Sequence, residues 1–410
     1  MNILFLTQIL PYPPDAGPRI KTWYVLRYLV ERGHAVTLLT FLRPDESRHV
    51  EVLEKLCHRV ITVPIRRSRK ADMGYLLRSF LTGRPFLIER DDLEAMRHAV
   101  AQALSAGNVD VIHADQLTMT QFALAALKAA PGGSRPRLIF DAHNATWTIL
   151  DRMAQTVPWP LRPALWLERE RVKKYEAMLV ECYDHTLAVT EVDRQALLKA
   201  VQDADLAPVV GDKIRVIPIA VDAGNTPPVA RTPGSLNILT LGTLHYPPNA
   251  NGIRWFINEV FPLVRQSTPG ATLTVVGKNP PADFQQAAQA SGGAIAVTGY
   301  VPDLRPYFEN AALMVVPVLA GGGMRVRILE AFAHGMPVVT TTIGLEGIDA
   351  QPGRDVLVED TPAGFAAAVS RLLAQPEAQA ALARNGRDLV CRKYDWRVVL
   401  QQLDAVYRNP

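Results

Sequence analysis

One stretch in the second half of the chain constrains the fold more than any other. It runs from Val316 to Leu345 with the sequence VPVLAGGGMRVRILEAFAHGMPVVTTTIGL. The apolar start predicts a β-strand, and Gly321–Gly323 then remove every side chain from the turn. A helix is predicted to begin near Met324 and to end at Gly335, and Pro337 lies just beyond it. The order strand, loop, helix, strand is the repeating unit of a parallel α/β sheet.

The helix after this glycine loop is suited to bind an anion, because its first N–H groups are unpaired and lie at the positive end of the helix dipole. Arg325 and Arg327 lie in its first turn, where acidic residues are usual, and Glu330 follows on the same face. We therefore predict a nucleoside diphosphate site, with phosphates on the arginines and ribose on the carboxylate. The alternative is a plain loop with an exposed Arg327–Glu330 ion pair. The backbone donors of the predicted site are Gly322, Gly323 and Met324.

The end of this stretch resembles the C-terminal signature of the retaining GT-B glycosyltransferases known as family 4. That signature is a glutamate followed by A-x-A-x-G-x-P-V-V-x-T, and the same string runs here from Glu330 to Thr340 as EAFAHGMPVVT. The resemblance covers nearly the whole chain and is strongest from Gly242 to Gly347. It implies that Glu330 binds the ribose of a nucleotide-sugar donor.

The chain departs from the common family pattern at one position of this motif. Family members commonly carry a second glutamate, eight positions before the first, which handles the donor sugar, and that position is Gly322 here. The chain is similar to the subgroup that reads G-G-G-x-R-x-[KR]-x-L-E. This similarity implies that Arg325 and Arg327 bind the donor phosphates.

Two other turns in the second half resemble family turns at the donor. Most members carry an arginine and a lysine for the diphosphate within the segment GTLHYPPNANG, where this chain has Leu244 and Asn251. The turn GYVPD resembles the one whose backbone contacts the nucleobase, so side chains do not reveal which base is bound. The donor contacts that these turns imply come from Gly242, Thr243, Gly299 and Val301.

The first half opens with a βαβ unit. Asn2–Thr7 and Ala35–Leu42 are apolar runs that predict strands, and a helix is predicted between them from about Ile20 to Glu31. The first loop carries Gly17 and Arg19 at the carboxyl edge of the sheet, where α/β proteins bind ligands. It resembles the family 4 loop that faces the donor phosphate. The alternative is a proline-rich turn with Gly17 at positive φ.

A polar cluster follows directly after another predicted strand. Asp141, His143 and Asn144 end an apolar run, so they are expected at the same carboxyl edge. Family 4 enzymes frequently place a histidine in this loop, which implies that His143 contacts the donor sugar near its anomeric carbon. Asp141 would orient His143 or act near the acceptor. A purely structural histidine is the alternative.

Strand and helix signals alternate throughout, which predicts an α/β fold; the resemblance specifies GT-B, two Rossmann-like parallel domains facing across a cleft. We expect an N-terminal acceptor domain at 1–208, a linker rich in proline and glycine at 209–234 and a C-terminal donor domain at 235–393, with a final helix at 394–410 that crosses back. Longer helices are predicted at Leu93–Ala106, Met119–Ala130, Leu161–Tyr183 and Asn249–Arg265. The remaining predicted strands are Val60–Pro64, Val109–Ala114, Leu138–Asp141, His185–Val189, Ile214–Pro218, Leu236–Leu241, Thr272–Val276, Ile295–Thr298, Leu313–Val316 and Val338–Thr342.

Composition narrows the function classes. A net charge of +4 over 410 residues is too small to indicate nucleic-acid binding. Three distant cysteines fit neither a metal site nor a disulfide framework, and no signal peptide is evident, so we expect a cytoplasmic protein. The basic run Arg66–Lys70 precedes the apolar Met73–Leu77. Such a segment either contacts the inner surface of an anionic membrane or is a solvated loop.

We therefore predict a glycosyltransferase that moves a sugar from a nucleoside diphosphate-sugar to an acceptor hydroxyl, with retention implied by the resemblance. The acceptor by analogy is a cell-surface glycan or a lipid-linked one. We expect no cofactor and no metal, because arginines supply the charge on the diphosphate. The absence of G-x-G-x-x-G after either first strand argues against a dinucleotide dehydrogenase, and the absence of G-x-x-x-x-G-K-[ST] excludes a P-loop site. A nucleotide-sugar epimerase and a non-catalytic sugar-nucleotide binding protein remain as alternatives.

Overall fold

The structure, a computed structural model, describes residues 1–129, 135–208 and 213–408. The chain divides into two compact units, Met1–Ile219 with Leu400–Pro410, and Ala220–Val399. Three predicted segments extend outside the described residues: the helix end at 130, the linker at 209–212 and the last helix at 409–410.

The described part of the N-terminal unit contains a parallel sheet of 7 strands in the order β3-β2-β1-β4-β5-β6-β7. Its central strands are buried on both faces, as the continuous apolar runs predict. The strands are β1 (Asn2–Thr7), β2 (Ala35–Leu42), β3 (Arg59–Pro64), β4 (Val111–Asp115), β5 (Arg137–Ala142), β6 (His185–Ala188) and β7 (Ile214–Val216).

Helices connect these strands, as expected of parallel neighbours, and one short helix joins the unit from the C-terminal end of the chain. They are α1 (Gly17–Glu31), α2 (Val50–Leu56), α3 (Arg69–Thr82), α4 (Phe86–Asp91), α5 (Glu94–Ser105), α6 (Thr120–Ala129), α7 (Thr146–Thr156), α8 (Arg162–Cys182), α9 (Glu191–Asp203) and, from the C-terminal end, α18 (Asp404–Tyr407). Short 3₁₀ turns lie at Ser47–His49, Leu117–Met119, Trp159–Leu161 and Leu400–Leu403.

The C-terminal unit contains a second parallel sheet, of 6 strands, in the order β10-β9-β8-β11-β12-β13. The strands are β8 (Asn237–Leu241), β9 (Thr272–Val276), β10 (Ile295–Thr298), β11 (Leu313–Val316), β12 (Val338–Thr340) and β13 (Leu357–Val358). The helices are α10 (Pro247–Trp255), α11 (Phe261–Ser267), α12 (Ala282–Ala290), α13 (Arg305–Asn310), α14 (Val326–Ala333), α15 (Pro362–Ala374), α16 (Pro376–Lys393) and α17 (Trp396–Val399). Two parallel α/β domains are therefore confirmed.

Helix boundaries show where the sequence prediction was wrong. The segment Asn249–Arg265 is not one α-helix, because a π-helical turn at Phe256–Val260 separates α10 from α11. Pro262 explains the interruption, since proline has no N–H to donate and its ring clashes with a regular helical turn. The last helix is also divided, by the 3₁₀ turn that begins where the chain leaves the C-terminal unit.

The predicted linker is not a free connector. Its first described part forms β7, which pairs with β6 in the N-terminal sheet. Later residues bind the C-terminal unit, where Val229 N–H donates to His334 O at 2.9 Å and Thr232 N–H donates to Glu309 O at 2.8 Å. The division therefore lies at Ile219, and the returning segment begins at Leu400 rather than at 394. The proline and glycine content indicated a linker. The backbone N–H groups of this segment nevertheless form hydrogen bonds with residues distant in the sequence.

Two glycines bring the loops of the C-terminal unit unusually close. An ideal Cβ on Gly252 in α10 would lie 1.7 Å from Pro317 O, at the start of the loop after β11. An ideal Cβ on Gly277 would lie 1.8 Å from Gly242 O, between the loops that follow β9 and β8. Only glycine allows these backbone contacts. Among the described residues, no helix is long and apolar enough to span a bilayer.

Replacing Gly252 with alanine tests this packing. Because the methyl group would push against backbone, we expect Gly252→Ala to lower the free energy of unfolding by about 1–3 kcal/mol. Gly74→Ala is the matched control, since Gly74 is also helical and an added Cβ meets nothing within 4 Å. There alanine should stabilise by about 0.5–1 kcal/mol. Urea unfolding followed by tryptophan fluorescence measures both, and equal effects of the two changes would contradict the close approach.

Candidate functional site

The glycine loop after β11 has the backbone that its sequence predicts. Gly321 and Gly323 adopt φ of +102° and +86°, a region that other residues rarely enter. Helix α14 begins at Val326, two residues later than predicted, and Arg325 is its N-cap. Met324 is buried, so only its backbone is available to a ligand. The loop thus presents backbone rather than side chains at the end of β11.

Helix α14 buries one face and leaves the candidate residues on the other. Val326, Ile328, Leu329 and the residues from Ala331 to Ala333 are buried, whereas Arg325, Arg327 and Glu330 are only partly buried. The first turn contains no acidic residue. Arg325 Nη1 donates to Gly322 O at 2.6 Å, which holds the guanidinium against the glycine loop. Positive charge is therefore concentrated at the helix N-terminus, where the dipole also favours an anion.

Arg327 joins this loop to the one after β8. Its Nη1 donates to Asn249 Oδ1 at 2.8 Å, and Asn249 Nδ2 donates to Thr243 O at 3.2 Å. Gly242 leaves room for the guanidinium, since an ideal Cβ there would lie 3.1 Å from Arg327 Nη1. Arg327 Nε is buried and has no hydrogen-bond partner in the described part of the chain. A buried donor without a partner is unfavourable, so this atom indicates a missing acceptor.

Burial and neighbouring charges affect both ionisable groups on this helix face. Burial, together with the nearby Arg325 charge, lowers the pKa of Arg327 to about 10, against the attraction of Glu330. Burial raises the pKa of Glu330, and the Arg327 charge opposes that rise. Arg327 nevertheless stays protonated at neutral pH. Its hydrogen bond goes to Asn249, so the alternative of a simple Arg327–Glu330 surface ion pair is not what the structure shows.

The loops after β9 and β10 extend the same edge of the sheet. Lys278 Nζ lies 4.5 Å from the centre of the Tyr300 ring, which links the two loops by a cation–π contact. Leu244 N–H donates to Lys278 O at 3.2 Å, which ties the β9 loop to the β8 loop. The space around Gly299 is open, because an added Cβ would meet nothing within 4 Å. Exposed backbone near Val301 is thus available to a flat ligand group.

Neither Leu244 nor Asn251, the residues singled out in the segment after β8, is a free polar group at this edge of the sheet. Leu244 is fully buried, and Asn251 accepts a hydrogen bond from Arg254 Nη1 at 2.8 Å. Asn249 is the polar side chain that contacts Arg327, and Lys278 is a cation of the loop after β9. Sequence reasoning missed Asn249 because the helix was predicted to begin there, whereas α10 begins at Pro247. Both residues follow strand ends, which was the available signal.

The first loop of the N-terminal unit differs from expectation. Gly17 begins α1 and is not among the glycines with positive φ, so the alternative of a positive-φ turn is wrong. Arg19 donates to Asp15 Oδ1 at 2.9 Å and to Glu46 Oε1 at 2.6 Å. Two carboxylates already balance its charge, so Arg19 would have to leave them to bind a phosphate.

His143 lies in a buried polar cluster at the carboxyl edge of the first sheet. Its Nε2 is 2.7 Å from Asp115 Oδ1, and the hydroxyls of Thr7 and Thr22 donate to Asp115 Oδ2 at 2.7 and 2.9 Å. His143 Nδ1 is buried and has no partner among the described residues. Because Asp115 is an acceptor, Nε2 donates to it, and in the neutral imidazole Nδ1 is left as an acceptor for a donor group.

The expectation that Asp141 orients His143 is wrong. Asp141 forms an ion pair with Lys21, and both side chains are buried. Burial alone would raise the pKa of Asp141, but Lys21 and the histidines at 113 and 143 outweigh it and hold this pKa well below its usual range. Asp115 and Asp141 are register partners on the adjacent strands β4 and β5, so the tertiary pairing decides which carboxylate meets His143.

The same cluster contains the group of described residues that could hold a metal ion. Ligand atoms of His113, Asp115 and Asp141 lie within 4.8 Å of one another. However, His113 Nδ1 is 2.6 Å from the Tyr407 hydroxyl, and the two carboxylates bind Lys21, His143 and threonine hydroxyls. The Lys21 ammonium provides the positive charge that a cation would otherwise supply, so these residues fit a metal poorly.

Both halves of the chain match models of known protein families. Residues 22–225 match the family model described as Glycosyltransferase Family 4, and residues 235–375 match the one described as Glycosyl transferases group 1. The second match contains the glycine loop, Arg325, Arg327 and Glu330. The first contains Asp115 and His143.

Curated relatives match part of the chain. A Klebsiella pneumoniae protein described as an uncharacterized 44.6 kDa protein in the cps region is 25% identical over 173 residues, 41% of this chain and 45% of that protein. Glycogen synthase of Mycobacterium tuberculosis is 31% identical over 205 residues, 48% of each chain. The matches thus span about half the length of these curated relatives.

Solved structures match over nearly the whole chain. HepE from Anabaena in complex with UDP and glucose has a TM-score of 0.67 at 16% identity, covering 99% of both chains. Sucrose-phosphate synthase from Thermosynechococcus elongatus has a TM-score of 0.69 at 17% identity, covering 99% of this chain and 98% of its own. At these identities the likeness shows the fold, and the fold predicted from the sequence is confirmed.

The contact between Gly242 and Arg327 can be tested with an anion alone. Gly242→Ala places a methyl group against the guanidinium, and we expect it to weaken binding of inorganic pyrophosphate at least about tenfold, or ~1.4 kcal/mol. Gly270→Ala is the matched control, because its Cβ would also meet a side-chain atom at 3.1 Å, on Leu236. Titration calorimetry measures both affinities. Equal affinities would show that Arg327 does not bind the anion.

Proposed function

Because the chain belongs to the glycosyltransferases of the GT-B fold, we propose that it moves a sugar from a nucleoside diphosphate-sugar to an acceptor hydroxyl with retention of configuration. The observation that carries this proposal is the guanidinium of Arg327, which Asn249 holds in place and whose buried Nε–H has no acceptor among the described residues. A diphosphate supplies acceptors and negative charge of the kind that such a site lacks.

The two arginines would act on the leaving group. As the bond between the anomeric carbon and the diphosphate oxygen breaks, negative charge builds on the diphosphate and positive charge on the sugar. Arg325, Arg327 and the N-terminus of α14 would stabilise the diphosphate by fixed charges that need no rearrangement. One preorganised donor of this kind is typically worth about 3–4 kcal/mol of barrier. In this proposal the arginines take the place of a metal ion.

The rest of the donor would be bound mostly by backbone. Glu330 would accept hydrogen bonds from the ribose hydroxyls, and the turn from Gly299 to Val301 would contact the base. Gly242, Thr243 and the loop from Gly322 to Met324 would contact phosphates and sugar. Solved structures of similar fold contain UDP or UDP-glucose, which makes UDP the first nucleotide to test.

His143 is proposed to contact the transferred sugar through Nδ1, since Asp115 already occupies Nε2. An imidazole held in this tautomer accepts a hydrogen bond from a sugar hydroxyl without carrying charge itself. Asp115 would act as a positioning residue, because it fixes the ring and the tautomer. Retention would follow from front-face attack, with the acceptor entering on the side that the diphosphate leaves.

The acceptor proposed here is a growing cell-surface glycan, free or carried on a lipid. One similar protein is named for the cps region, and a solved structure of similar fold is described as WaaG, a glycosyltransferase involved in lipopolysaccharide biosynthesis. Such acceptors are assembled at the cytoplasmic face of a membrane, which is where we propose that the protein acts. The identity of the sugar and the linkage are left to experiment.

An epimerase or a binding protein would share the diphosphate site but not the dependence on an acceptor. A transferase releases nucleoside diphosphate in proportion to the acceptor supplied, whereas an epimerase needs none. Release that is independent of any acceptor, with isomerised donor as the product, would identify an epimerase. The arginine pair suits a transferase because it would stabilise a diphosphate that leaves for good once the sugar is transferred.

Removing Arg325 should slow the reaction more than it weakens the protein. We expect Arg325→Ala to lower kcat at least about a hundredfold, since one charged donor to the leaving group is lost. Arg265→Ala is the control, because that arginine lies outside the site and donates to Pro269 O. Nucleoside diphosphate release with a crude glycan acceptor measures the rate. A near-normal kcat in Arg325→Ala would remove this arginine from the mechanism.

The donor base and the role of Glu330 can be read from thermal unfolding with UDP, GDP, dTDP and NAD. A nucleotide at about a hundred times its Kd adds roughly 2.7 kcal/mol, so one nucleoside diphosphate should raise the midpoint clearly. Glu330→Ala should reduce that rise, because the ribose loses its acceptor. Stabilisation by NAD alone would contradict the transferase proposal, and an unchanged rise in Glu330→Ala would contradict the ribose contact.

A further inference from the structure

Helix α3 carries an apolar stripe that faces solvent. Its large apolar residues recur at the spacing i, i+3, i+4, i+7 and i+8, which normally indicates the buried face of a helix. Here they are between 46% and 80% exposed, and the only buried residue of α3 is Ser79. The stripe consists of Met73, Leu76, Leu77, Phe80 and Leu81.

The contacts that hold α3 lie mainly at its two ends. Arg67 pairs with Asp91 just before the helix, and Arg78 Nε lies 2.8 Å from Glu89 Oε2 near its end. The Ser79 hydroxyl donates to Arg84 O at 2.6 Å, and Gly83 ends the helix in a left-handed cap. Polar contacts thus fix the helix while its apolar stripe is left uncovered.

A second exposed apolar segment lies just before and at the start of α8, a helix that contacts α3. It comprises the 3₁₀ turn Trp159–Leu161 and the start of α8, where Trp166 and Leu167 are exposed. Arg171 of α8 connects the two, since its Nη1 donates to Ser79 Oγ at 3.3 Å and its guanidinium lies 5.4 Å from the centre of the Phe80 ring. We call the stripe and this segment together the α3–α8 surface.

This surface concentrates the exposed apolar side chains of the protein. Of the 16 large apolar residues that are exposed in the described part of the chain, 9 belong to it. Exposed apolar residues scattered singly are ordinary, but a contiguous group marks an interaction site. Two of the nine are tryptophans, which favour the boundary between water and lipid because the ring is apolar and its N–H is polar.

Charge identifies the partner that fits this surface. The segment 66–82 contains five basic residues and a single acidic one, Asp72. Its excess of four positive charges equals the net charge of the whole chain, so the rest of the chain is close to neutral. Arg66, Arg69 and Lys70 are exposed at the start of α3, next to the apolar stripe. Basic residues beside an exposed apolar face are typical of helices that lie on anionic membranes.

We propose that the α3–α8 surface docks on an anionic phospholipid bilayer, with its basic residues on the headgroups and its apolar side chains at the acyl boundary. This inference deepens the proposed function and rests on it in one respect, since docking would bring the enzyme to a lipid-linked acceptor. Neither the apolar stripe nor the basic run suffices alone, because each contributes a separate part of the binding free energy.

Co-sedimentation with vesicles tests the proposal without donor or acceptor. The full chain should bind vesicles of phosphatidylcholine mixed with phosphatidylglycerol at least tenfold more tightly than vesicles of phosphatidylcholine alone, and salt should weaken that binding. The double variant Leu77→Glu with Leu81→Glu should lose at least tenfold of the binding. Both side chains are exposed, so the fold does not depend on them.

A matched control distinguishes the effect of where the carboxylates are placed from the effect of their negative charge. The double variant Val192→Glu with Val398→Glu adds the same two carboxylates at exposed apolar positions outside the surface, and it should bind vesicles nearly as well as the wild type. Equal losses in the two double variants would overturn the proposal, as would failure of the wild type to bind anionic vesicles. Light scattering tests the alternative that a second copy of the chain occupies the surface. That alternative would hold if the wild type formed a dimer, did not bind vesicles, and became monomeric in the double variant Leu77→Glu with Leu81→Glu.

The proposed function can fail independently of this docking. Nucleotide stabilisation is measured without lipid, and vesicle binding is measured without nucleotide. Vesicle binding without any nucleotide effect would keep the surface and reject the donor site. Nucleotide stabilisation without vesicle binding would keep the donor site and reject the surface.

Discussion

The candidate donor site depends on backbone segments that approach more closely than any side chain would allow. Gly252 lies against the carbonyl of Pro317, and Gly277 lies against the carbonyl of Gly242. These contacts set the separation of the loops after β8, β9 and β11. Arg327 then spans two of these loops, because it starts from α14 and hydrogen-bonds to Asn249. Without the glycines, the loops would separate and the guanidinium would lose its fixed position.

The two units differ in how their buried charged side chains are paired. In the N-terminal unit, each buried carboxylate has a basic partner, since Asp141 pairs with Lys21 and Asp115 with His143. Among the described residues, Asp141 Oδ2 and His143 Nδ1 are the atoms of these four side chains that have no hydrogen-bond partner. In the C-terminal unit, burial and the nearby charge of Arg325 both lower the pKa of Arg327, and Glu330 offsets this only in part. Like charges held together in a partly buried place are unfavourable without an anion. This difference is why the C-terminal loop is the better candidate for the diphosphate.

Many strands and helices were predictable because they depend on residues that are close together in the sequence. Strands such as Ala35–Leu42 and Thr272–Val276 agree with their predicted bounds to the residue, since continuous apolar runs between turn residues leave few alternatives. Interruptions were not predictable from hydrophobic spacing. The π turn before Pro262 arises from a backbone constraint on a single residue, and α14 begins later than its spacing indicates. The linker was misjudged because its hydrogen bonds reach partners far along the chain.

The sequence by itself determined the repeating strand and helix order, the glycine loop and the positions of Arg327 and Glu330 on one helix with Arg325 just before it, because these follow from spacing within a short segment. The tertiary structure decided which of these groups have partners. It assigned Asp115 rather than Asp141 to His143, balanced Arg19 with two carboxylates, brought Asn249 to Arg327 and left the stripe of α3 in solvent. Each of these outcomes depends on a contact or an exposure set by strand pairing and packing, and residue spacing along the chain does not encode it.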